Sequence, residues 1–316
     1  MDFVLDLCDT YFLDAVYAKI IPLDATRSLN ASVTAVLPAS SQWSKIMSDL
    51  PLSSIMVDDT PASPSSISHP IYASAWPRDY IPRQVLSLSV LTLIGIHLLY
   101  FIFAGLSYRY IFNHEMRKHP RFLPQQEKLE IQSSLRAFPM ITLLTLPWFL
   151  GEVRGYSKLY DGADSYGYLY LFASAPFFLL FTDYCIYWVH RWLHIPFFYK
   201  ALHKPHHKWI IPTPWAACRI IFFVFIFPLH RLLYLGLFVF VNFWSIFIHD
   251  SDMITGHPLE KVINGPAHHT LHHLYFTCNY GQYFTWADRA GSSYRQPESS
   301  LDPMLEVKAL QKSKAE

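Results

Sequence analysis

The chain has 316 residues, of which 52% are hydrophobic, 17% aromatic and only 16% charged. A soluble domain carries about 25% charged residues, so this composition favours a protein that lies in a membrane. The formal net charge of +1 argues against a nucleic-acid partner. The cysteines are too scattered for a disulfide framework or a zinc ribbon, and we interpret them as reduced thiols: Cys8, Cys185, Cys218 and Cys278.

Residues 1–84 form an N-terminal region of mixed character. It starts with an amphipathic stretch that carries acidic residues where a signal peptide would carry basic ones, which argues against a cleaved signal. Residues 48–70 are rich in serine and proline, and they predict a linker or surface loop without a helix. Asn30 begins an Asn-Ala-Ser triplet, a candidate glycosylation site if this region is lumenal.

Apolar runs between residues 85 and 248 predict membrane segments. Residues 85–108 and 169–189 reach the roughly 20 residues that a spanning helix needs. Residues 137–150 are fewer and contain Pro139 and Pro147, so they cross only with help from their flanks. Residues 220–229 and 232–248 predict a re-entrant or interfacial hairpin. We assign a membrane domain to residues 85–297 and a cytosolic tail to residues 298–316.

The loops predict the orientation of these segments. Residues 109–136 carry six basic side chains, whereas residues 151–168 carry only Arg154 and Lys158. The excess of positive charge on cytosolic loops therefore places residues 109–136 in the cytosol and residues 1–84 in the lumen. The tail ends with Lys312 and Lys314, fifth and third from the last residue, which resembles a dilysine retrieval signal of endoplasmic-reticulum membrane proteins.

Twelve of the sixteen histidines lie between positions 190 and 273, and most of these fall into three boxes. The boxes are HxxxH at 190–194, HxxHH at 203–207 and HxxHH at 269–273, the last preceded by His268. Residues three and four apart share one face of a helix, so each box predicts converging imidazoles. Imidazole is a ligand of iron, zinc, copper and nickel, and ligand type alone does not choose among them. The predicted fold class is all-α: a polytopic membrane helical bundle with a cytosolic helical cap that carries a histidine-rich di-metal site.

An all-imidazole site is strongly cationic once metals bind, so nearby acids are expected to orient the ligands or balance the charge. Asp183 lies seven residues before His190 on the same helical face. Asp250 and Asp288 are further candidates for this outer role, and each could equally be a cap or an interface charge.

The segments HRWLH, HKPHHKW and AHHTLHH, with FVNFWSIFIHD and NYGQYFTWADRAGSSYR, resemble the fatty acid hydroxylase/sterol desaturase superfamily. The resemblance covers about residues 78–297 and is closest to fungal sterol C-5 desaturases. It implies a non-haem di-iron enzyme of the endoplasmic reticulum that uses O2. Two electrons would come from NADH through cytochrome b5 and its reductase, and the product would be the 5,6 double bond of a delta-7 sterol in ergosterol biosynthesis.

The same resemblance implies the metal ligands, and zinc can replace iron there during purification. The implied ligands are His190, His194, His203, His206, His207, His269, His272 and His273, with His249 as a further ligand, His268 as an additional candidate and His257 as a weaker one. The resemblance also implies a dry channel that holds the sterol. Trp188, Trp192, Trp209 and Trp215 are candidates to line this channel, or they are plain membrane-interface aromatics.

One departure from the family pattern follows His207. Relatives continue through a Thr-Pro-Phe stretch and a histidine-bearing segment, whereas here residues 212–218 lead at once into the apolar run at 220–227. This departure leaves two alternatives open. The chain could be a related hydroxylase or methyl oxidase that acts on a sterol, a fatty acid or a terpenoid, or an inactive paralogue that binds sterol or metal.

Overall fold

The computed structural model describes residues 1–23, 74–216 and 223–316. They divide into two compact units, Asp2–Gln84 and a larger unit of Met1 with Val85–Glu316. The predicted linker at 48–70, the candidate glycosylation site Asn30 and Cys218 lie outside the described residues.

In the smaller unit, the amphipathic start of the chain forms helix α1 (Asp2–Cys8), a π-helical turn (Asp9–Leu13) and helix α2 (Asp14–Ile20). The buried guanidinium of Arg83 donates to Asp9 at 2.6 Å and to Asp14 at 2.5 Å. Arg78 also donates to Asp14, at 2.5 Å. A buried charge needs a partner, so these ion pairs explain why the first helices carry acids among their apolar residues.

Within the described ranges, three helices are long and apolar enough to cross a membrane: α3 (Ile81–Tyr110), α4 (Gln126–Val153) and α5 (Tyr168–Leu193). The prediction of a multi-pass helical membrane protein is thereby confirmed. Helix α4 is twice as long as the apolar run 137–150 indicated, because it begins eleven residues earlier in a polar stretch. On one face of this stretch, Gln126, Glu130 and Ser134 are buried and hydrogen-bonded, so it forms part of the helix and not a solvated loop.

Helix α3 shows how these helices meet lipid. An apolar side chain recurs at every fourth residue and is 47–57% exposed in each case. Residues four apart share a helix face, so these side chains form one apolar stripe on the outside of the protein. An exposed stripe of this length is stable in lipid and costly in water. Its members are Leu86, Val90, Ile94, Leu98, Ile102 and Leu106.

After α5 the chain forms helix α6 (Pro196–Phe198) and a π-helical segment (Tyr199–His203). The described part of the apolar run 220–229, which starts at residue 223, does not form a helical arm of a hairpin. Residues 223–225 form a 3-10 turn, and strand β2 (Leu229–His230) pairs in parallel with β1 (Leu159–Tyr160). The ring of Phe223 packs 5.0–5.6 Å from three phenylalanine rings of α5, which fixes this turn against that helix.

Helix α7 (Arg231–Phe247) follows, and then α8 (Pro266–Tyr275), α9 (Trp286–Ala290) and α10 (Met304–Ser313). Strands β1 and β2 are the only ones in the described ranges, each of two residues, so the all-α prediction is confirmed. Part of the C-terminal tail packs against the rest of the larger unit. Met304 and Val307 of α10 are buried against Met116 and Ile211, which follows from their spacing of three residues on one helix face.

Candidate metal centre

Nine histidines divide into two groups, which we call site A and site B. Site A consists of His190, His194, His203, His207 and His272, and site B of His206, His249, His269 and His273. Within each group the candidate ligand nitrogens lie within 4.8 Å of one another. Residues far apart in sequence therefore converge on two adjoining points, and the structure brings all eight histidines of the three boxes into these groups.

Each of the last two boxes contributes to both sites. On α8, His269 and His273 lie four residues apart and share site B, whereas His272 is turned by about 100° from His273 and faces site A. The second box is not a regular α-helix, contrary to the prediction. Its first member ends the π-helical segment, and residues 204–208 form turns. This irregular backbone places His206 in site B and its neighbour His207 in site A.

His249 lies in site B, with its Nε2 2.9 Å from the Nε2 of His269 and 3.4 Å from that of His206. His268 lies outside both groups. It is buried, its ring packs 5.8 Å from the ring of Tyr294, and its Nε2 has no hydrogen-bond partner in the part of the chain that the structure describes. Its side chain points away from both sites because His268 directly precedes His269 on α8, and adjacent residues of a helix are turned by about 100° from each other. His257 is exposed and accepts a hydrogen bond from the backbone of the turn it caps.

Backbone carbonyls fix the orientation of four imidazoles. The Nδ1 of His190 lies 2.9 Å from the carbonyl of Tyr280, and that of His272 lies 2.8 Å from the carbonyl of Cys278. The Nδ1 of His273 and of His249 contact the carbonyls of residues 209 and 245 in the same way, at 2.9 and 2.5 Å. A carbonyl only accepts, so each Nδ1 carries the proton and each Nε2 presents a lone pair. This is the outer-shell arrangement of metal-ligating histidines.

The distances between these nitrogens fit a metal ion. In site A the Nε2 of His207 lies 3.1 Å from the Nε2 of His194, of His203 and of His272. In site B the Nε2 of His269 lies 3.2 Å from that of His273. Two nitrogens bound at about 2.1 Å and at right angles to one cation would lie about 3.0 Å apart. The spacing of the candidate ligand atoms is therefore compatible with one cation in each site.

The surroundings also keep the imidazoles neutral, which is the form that binds metal. Burial lowers the pKa of His194 to about 4. Burial, and then the neighbouring imidazoles, lower the pKa of His207 and of His273 well below the usual range. At neutral pH these imidazoles are uncharged, and each keeps one nitrogen without a proton that can bind a metal.

Asp183 and Asp288 act on the centre through the loop at residues 280–284. Oδ1 of Asp183 accepts from the backbone N–H groups of Gln282 at 2.8 Å and Tyr283 at 2.7 Å. Asp288 accepts from the N–H groups of Tyr280 at 2.8 Å and of residue 281 at 2.7 Å. Because Tyr280 supplies the carbonyl that contacts Nδ1 of His190, the two acids hold the backbone that orients this candidate ligand. The sequence made both acids candidates for an outer role, and it did not indicate their contacts with this loop.

The same loop needs a glycine at position 281. A Cβ there would lie 2.6 Å from the carbonyl oxygen of Phe284 and 2.9 Å from Oδ2 of Asp288. The Nδ2 of Asn264 donates to the carbonyl of Gly281, and the Nε1 of Trp244 donates to that of residue 282 at 2.8 Å. The sequence analysis did not identify a role for Asn264 or Trp244, because nothing in their local pattern links them to the histidines.

For Asp250 the contacts fit the second of the two roles left open for it, that of a cap. Its Oδ1 accepts from the backbone N–H of Asp252 at 3.0 Å and so caps the turn after His249. Burial raises the pKa of Asp250 to about 7. Asp250 thus shapes the local backbone, which is the ordinary alternative for this residue.

Glu130 is a further residue that the sequence analysis missed. It is fully buried on α4, and its carboxyl accepts from the Nε2 of Gln126 at 2.7 Å and from both the backbone N–H and the hydroxyl of Thr213. Gln126 also donates to the carbonyl of Ile211 at 2.6 Å. This network holds residues 211 and 213, just after Trp209, whose carbonyl contacts Nδ1 of His273, a candidate ligand of site B. A glutamate four residues after a glutamine, at the start of an apolar helix, was the only available signal.

A cavity of about 580 Å³ adjoins both sites. Its size is typical of a pocket for a small molecule, and most of its lining is apolar. Trp209 lines it, whereas Trp188 and Trp192 are partly exposed and Trp215 packs against aromatic rings of α3. The lining residues are Ser133, Ser134, Ala137, Ile141, Cys185, Ile186, Val189, His190, Leu193, Leu202, His203, Pro205, His206, Trp209, Ala216 and His249.

The sequence comparisons agree with this geometry. Residues 175–293 match the family model for fatty acid hydroxylases. A Delta(7)-sterol 5(6)-desaturase of Gibberella zeae is 46% identical over 97% of this chain and 93% of its own length. One from Aspergillus fumigatus is 48% identical over 79% and 88%. Human lathosterol oxidase is 46% identical over 77% and 87%.

No solved structure matches the chain. The family match falls on the part of the chain that carries the three boxes, and the curated relatives are similar over most of their own length. The chain therefore belongs to the Delta(7)-sterol 5(6)-desaturase family, within the wider group that the fatty acid hydroxylase model describes.

Proposed function

We propose that this protein is a membrane oxidoreductase that introduces the 5,6 double bond into a delta-7 sterol of ergosterol biosynthesis. The observation that carries the proposal is the placing of two histidine-only sites beside one largely apolar cavity. Relatives named for this reaction share 46–48% of their aligned residues with this chain. A delta-7 sterol is almost entirely hydrocarbon, so a cavity with this lining suits it.

The nine histidines of sites A and B are the proposed ligands of two iron ions, and His268 is not among them. Bound iron would supply the activation of O2 and the oxidising power to remove hydrogen from an unactivated C–H bond. The protein holds the imidazoles neutral and oriented, with His190 and His272 fixed by carbonyl groups. The apolar lining keeps water away from the carbon that reacts. Zinc competes for such ligands and is expected to displace ferrous iron when it is in excess.

The electron balance requires a donor. Desaturation removes two hydrogen atoms from the sterol, which is two electrons and two protons. Reduction of one O2 to two water molecules consumes four of each, so two further electrons and two protons must be supplied. We propose that NADH provides the electrons through a reductase and cytochrome b5, as the family resemblance implies.

The outer face of the second box suits such a carrier. Lys200, Lys204 and Lys208 are exposed and lie four residues apart, in the same segment as the buried His203 and His207. A row of positive charge next to site A would attract an acidic protein surface and bring its haem close to the metals. This surface is the proposed docking site of the donor.

We propose that the protein lies in the endoplasmic-reticulum membrane with both metal sites facing the cytosol. The excess of basic residues at 109–136 supports this orientation. Lys312 and Lys314 at the end of the chain support retrieval to that membrane, and both lie in the exposed C-terminal stretch.

Expression in a fungal strain that lacks its C-5 desaturase tests the function. Sterol profiling by mass spectrometry should show ergosterol restored by the natural chain and by His268→Ala, but not by His206→Ala. Accumulated delta-7 sterol beside well-expressed natural chain would contradict the proposal and favour an inactive paralogue. A product heavier by 16 mass units would instead indicate the hydroxylase alternative.

A further inference from the structure

Among the described residues, the hydroxyl groups that line the cavity beside sites A and B lie on one short stretch of α4. On α4, Ser133 and Ser134 line one end, and Ala137 and Ile141 line the rest. Eight residues of helix cover about 12 Å, so hydroxyl groups give way to hydrocarbon over that length. On α5 the apolar Ile186 lines the same cavity one turn before His190.

The serine end is the metal end. The hydroxyl of Ser134 donates to the carbonyl of Trp215 at 2.9 Å, and one turn earlier Glu130 binds Thr213. Both contacts are made to the chain that continues directly from His206 and its neighbours. Ser133 therefore lies where α4 meets the metal-bearing segment, and Ile141 lies about two turns away from it.

The two serines differ in what their hydroxyl groups do. Ser134 is buried and its proton is committed to Trp215. Ser133 is half-buried, lines the cavity, and makes no hydrogen bond to any residue within 1–23, 74–216 or 223–316. A hydroxyl that faces a largely apolar cavity without a partner is suited to bind a polar group of a ligand.

We infer that Ser133 binds the 3-hydroxyl group of the sterol and thereby sets which carbon faces the metals. This inference rests on the proposed function. In a delta-7 sterol the hydroxyl-bearing C3 and the reacting C5 are bonded to the same carbon, so the hydroxyl must lie at the metal end of the cavity. The remaining rings and the side chain are hydrocarbon, which matches the lining that runs from Ala137 to Ile141. The hydrogen bond fixes the register of the sterol along the cavity.

The test compares two ligands on the full-length, iron-loaded protein in vesicles: a radiolabelled delta-7 sterol and its 3-deoxy analogue. The natural chain should bind the sterol about tenfold more tightly than the analogue, the effect of one buried hydrogen bond. Ser133→Ala should bind both ligands equally, and Ser133→Thr should keep the preference. Ser134→Ala is the matched control, and its ratio of the two dissociation constants should equal that of the natural chain.

Two results would overturn the inference: no preference for the hydroxyl in the natural chain, or an undiminished preference in Ser133→Ala. The product assay separates this outcome from failure of the proposed function. A tenfold preference that depends on Ser133, without formation of the 5,7-diene, would refute the desaturase and leave the binding site intact. Formation of the diene, with the same preference for the hydroxyl in the natural chain and in Ser133→Ala, would support the desaturase and overturn the role of Ser133.

Discussion

Removal of the Asp183 carboxyl should disturb site A. The Oδ1 of Asp183 makes no hydrogen bond to a histidine of that site and acts on it through the backbone. Its two short hydrogen bonds go to the buried N–H groups of Gln282 and Tyr283. A hydrogen bond to a charged group is worth about 1.5–3 kcal/mol, so Asp183→Ala should lower the free energy of unfolding by about 3–6 kcal/mol. That corresponds to a fall of on the order of 10 °C in the thermal unfolding temperature.

The metal content should change as well. The loop carries the carbonyl of Tyr280 that orients His190, and loss of such an outer contact lowers metal affinity by about 10- to 100-fold. Iron per chain, measured at limiting iron by mass spectrometry, should therefore fall more than in the exposed control Asp164→Ala. Asp183→Asn keeps an acceptor oxygen and should lie between the two.

The reasoning would be refuted by an Asp183→Ala protein that binds iron like the natural chain and unfolds within about 2 °C of it. A loss of stability without loss of iron would show that the loop holds the fold but not His190. Measurement of both quantities on the same preparation separates these results.

Four further outcomes are expected. His268→Gln should keep the natural iron content, because this side chain lies outside both sites; a loss of one iron per chain would put it back among the ligands. Glu130→Ala should lower the free energy of unfolding by about 2–4 kcal/mol, since it leaves a buried N–H and a buried hydroxyl unpaired; unchanged denaturant unfolding would contradict this. Lys204→Glu should raise the KM for cytochrome b5 several-fold and leave turnover with a chemical reductant unchanged, whereas Lys312→Glu should alter neither; equal effects of the two changes would exclude the docking face. Burial raises the pKa of the Cys278 thiol to about 11, so at pH 8 only about one thiol in a thousand is ionised and maleimide should modify it slowly until pH approaches that value; rapid labelling of folded protein at pH 8 would contradict its burial.

The spanning helices could be predicted because lipid imposes a simple rule on sequence. Each needs about 20 apolar residues, and the runs at 85–108 and 169–189 supplied them. Helix α4 was underestimated because its first three turns are polar, and a sequence window cannot distinguish a solvated glutamate from one bonded to Gln126 and Thr213. Burial decides between these states, and burial depends on residues distant in the chain.

The spacing of the histidines predicted part of the candidate metal centre. Helical periodicity brings His190 to His194 and His269 to His273, and these pairs fall into sites A and B respectively. Periodicity does not indicate that the second box departs from an α-helix or that neighbouring residues serve different sites. The orienting carbonyls could not be found from sequence either, since every residue has one and only the fold selects that of Tyr280.

The count of metal ions in single-site variants tests the central claim most directly. The claim is that nine histidines form two separate sites, so the natural chain reconstituted with ferrous iron should bind about two ions. His272→Ala should lose the ion of site A and keep that of site B, and His269→Ala should do the opposite, so that each retains about one ion with a distinct Mössbauer spectrum. A natural chain that binds a single ion, or variants that lose both ions together while remaining folded, would contradict the account.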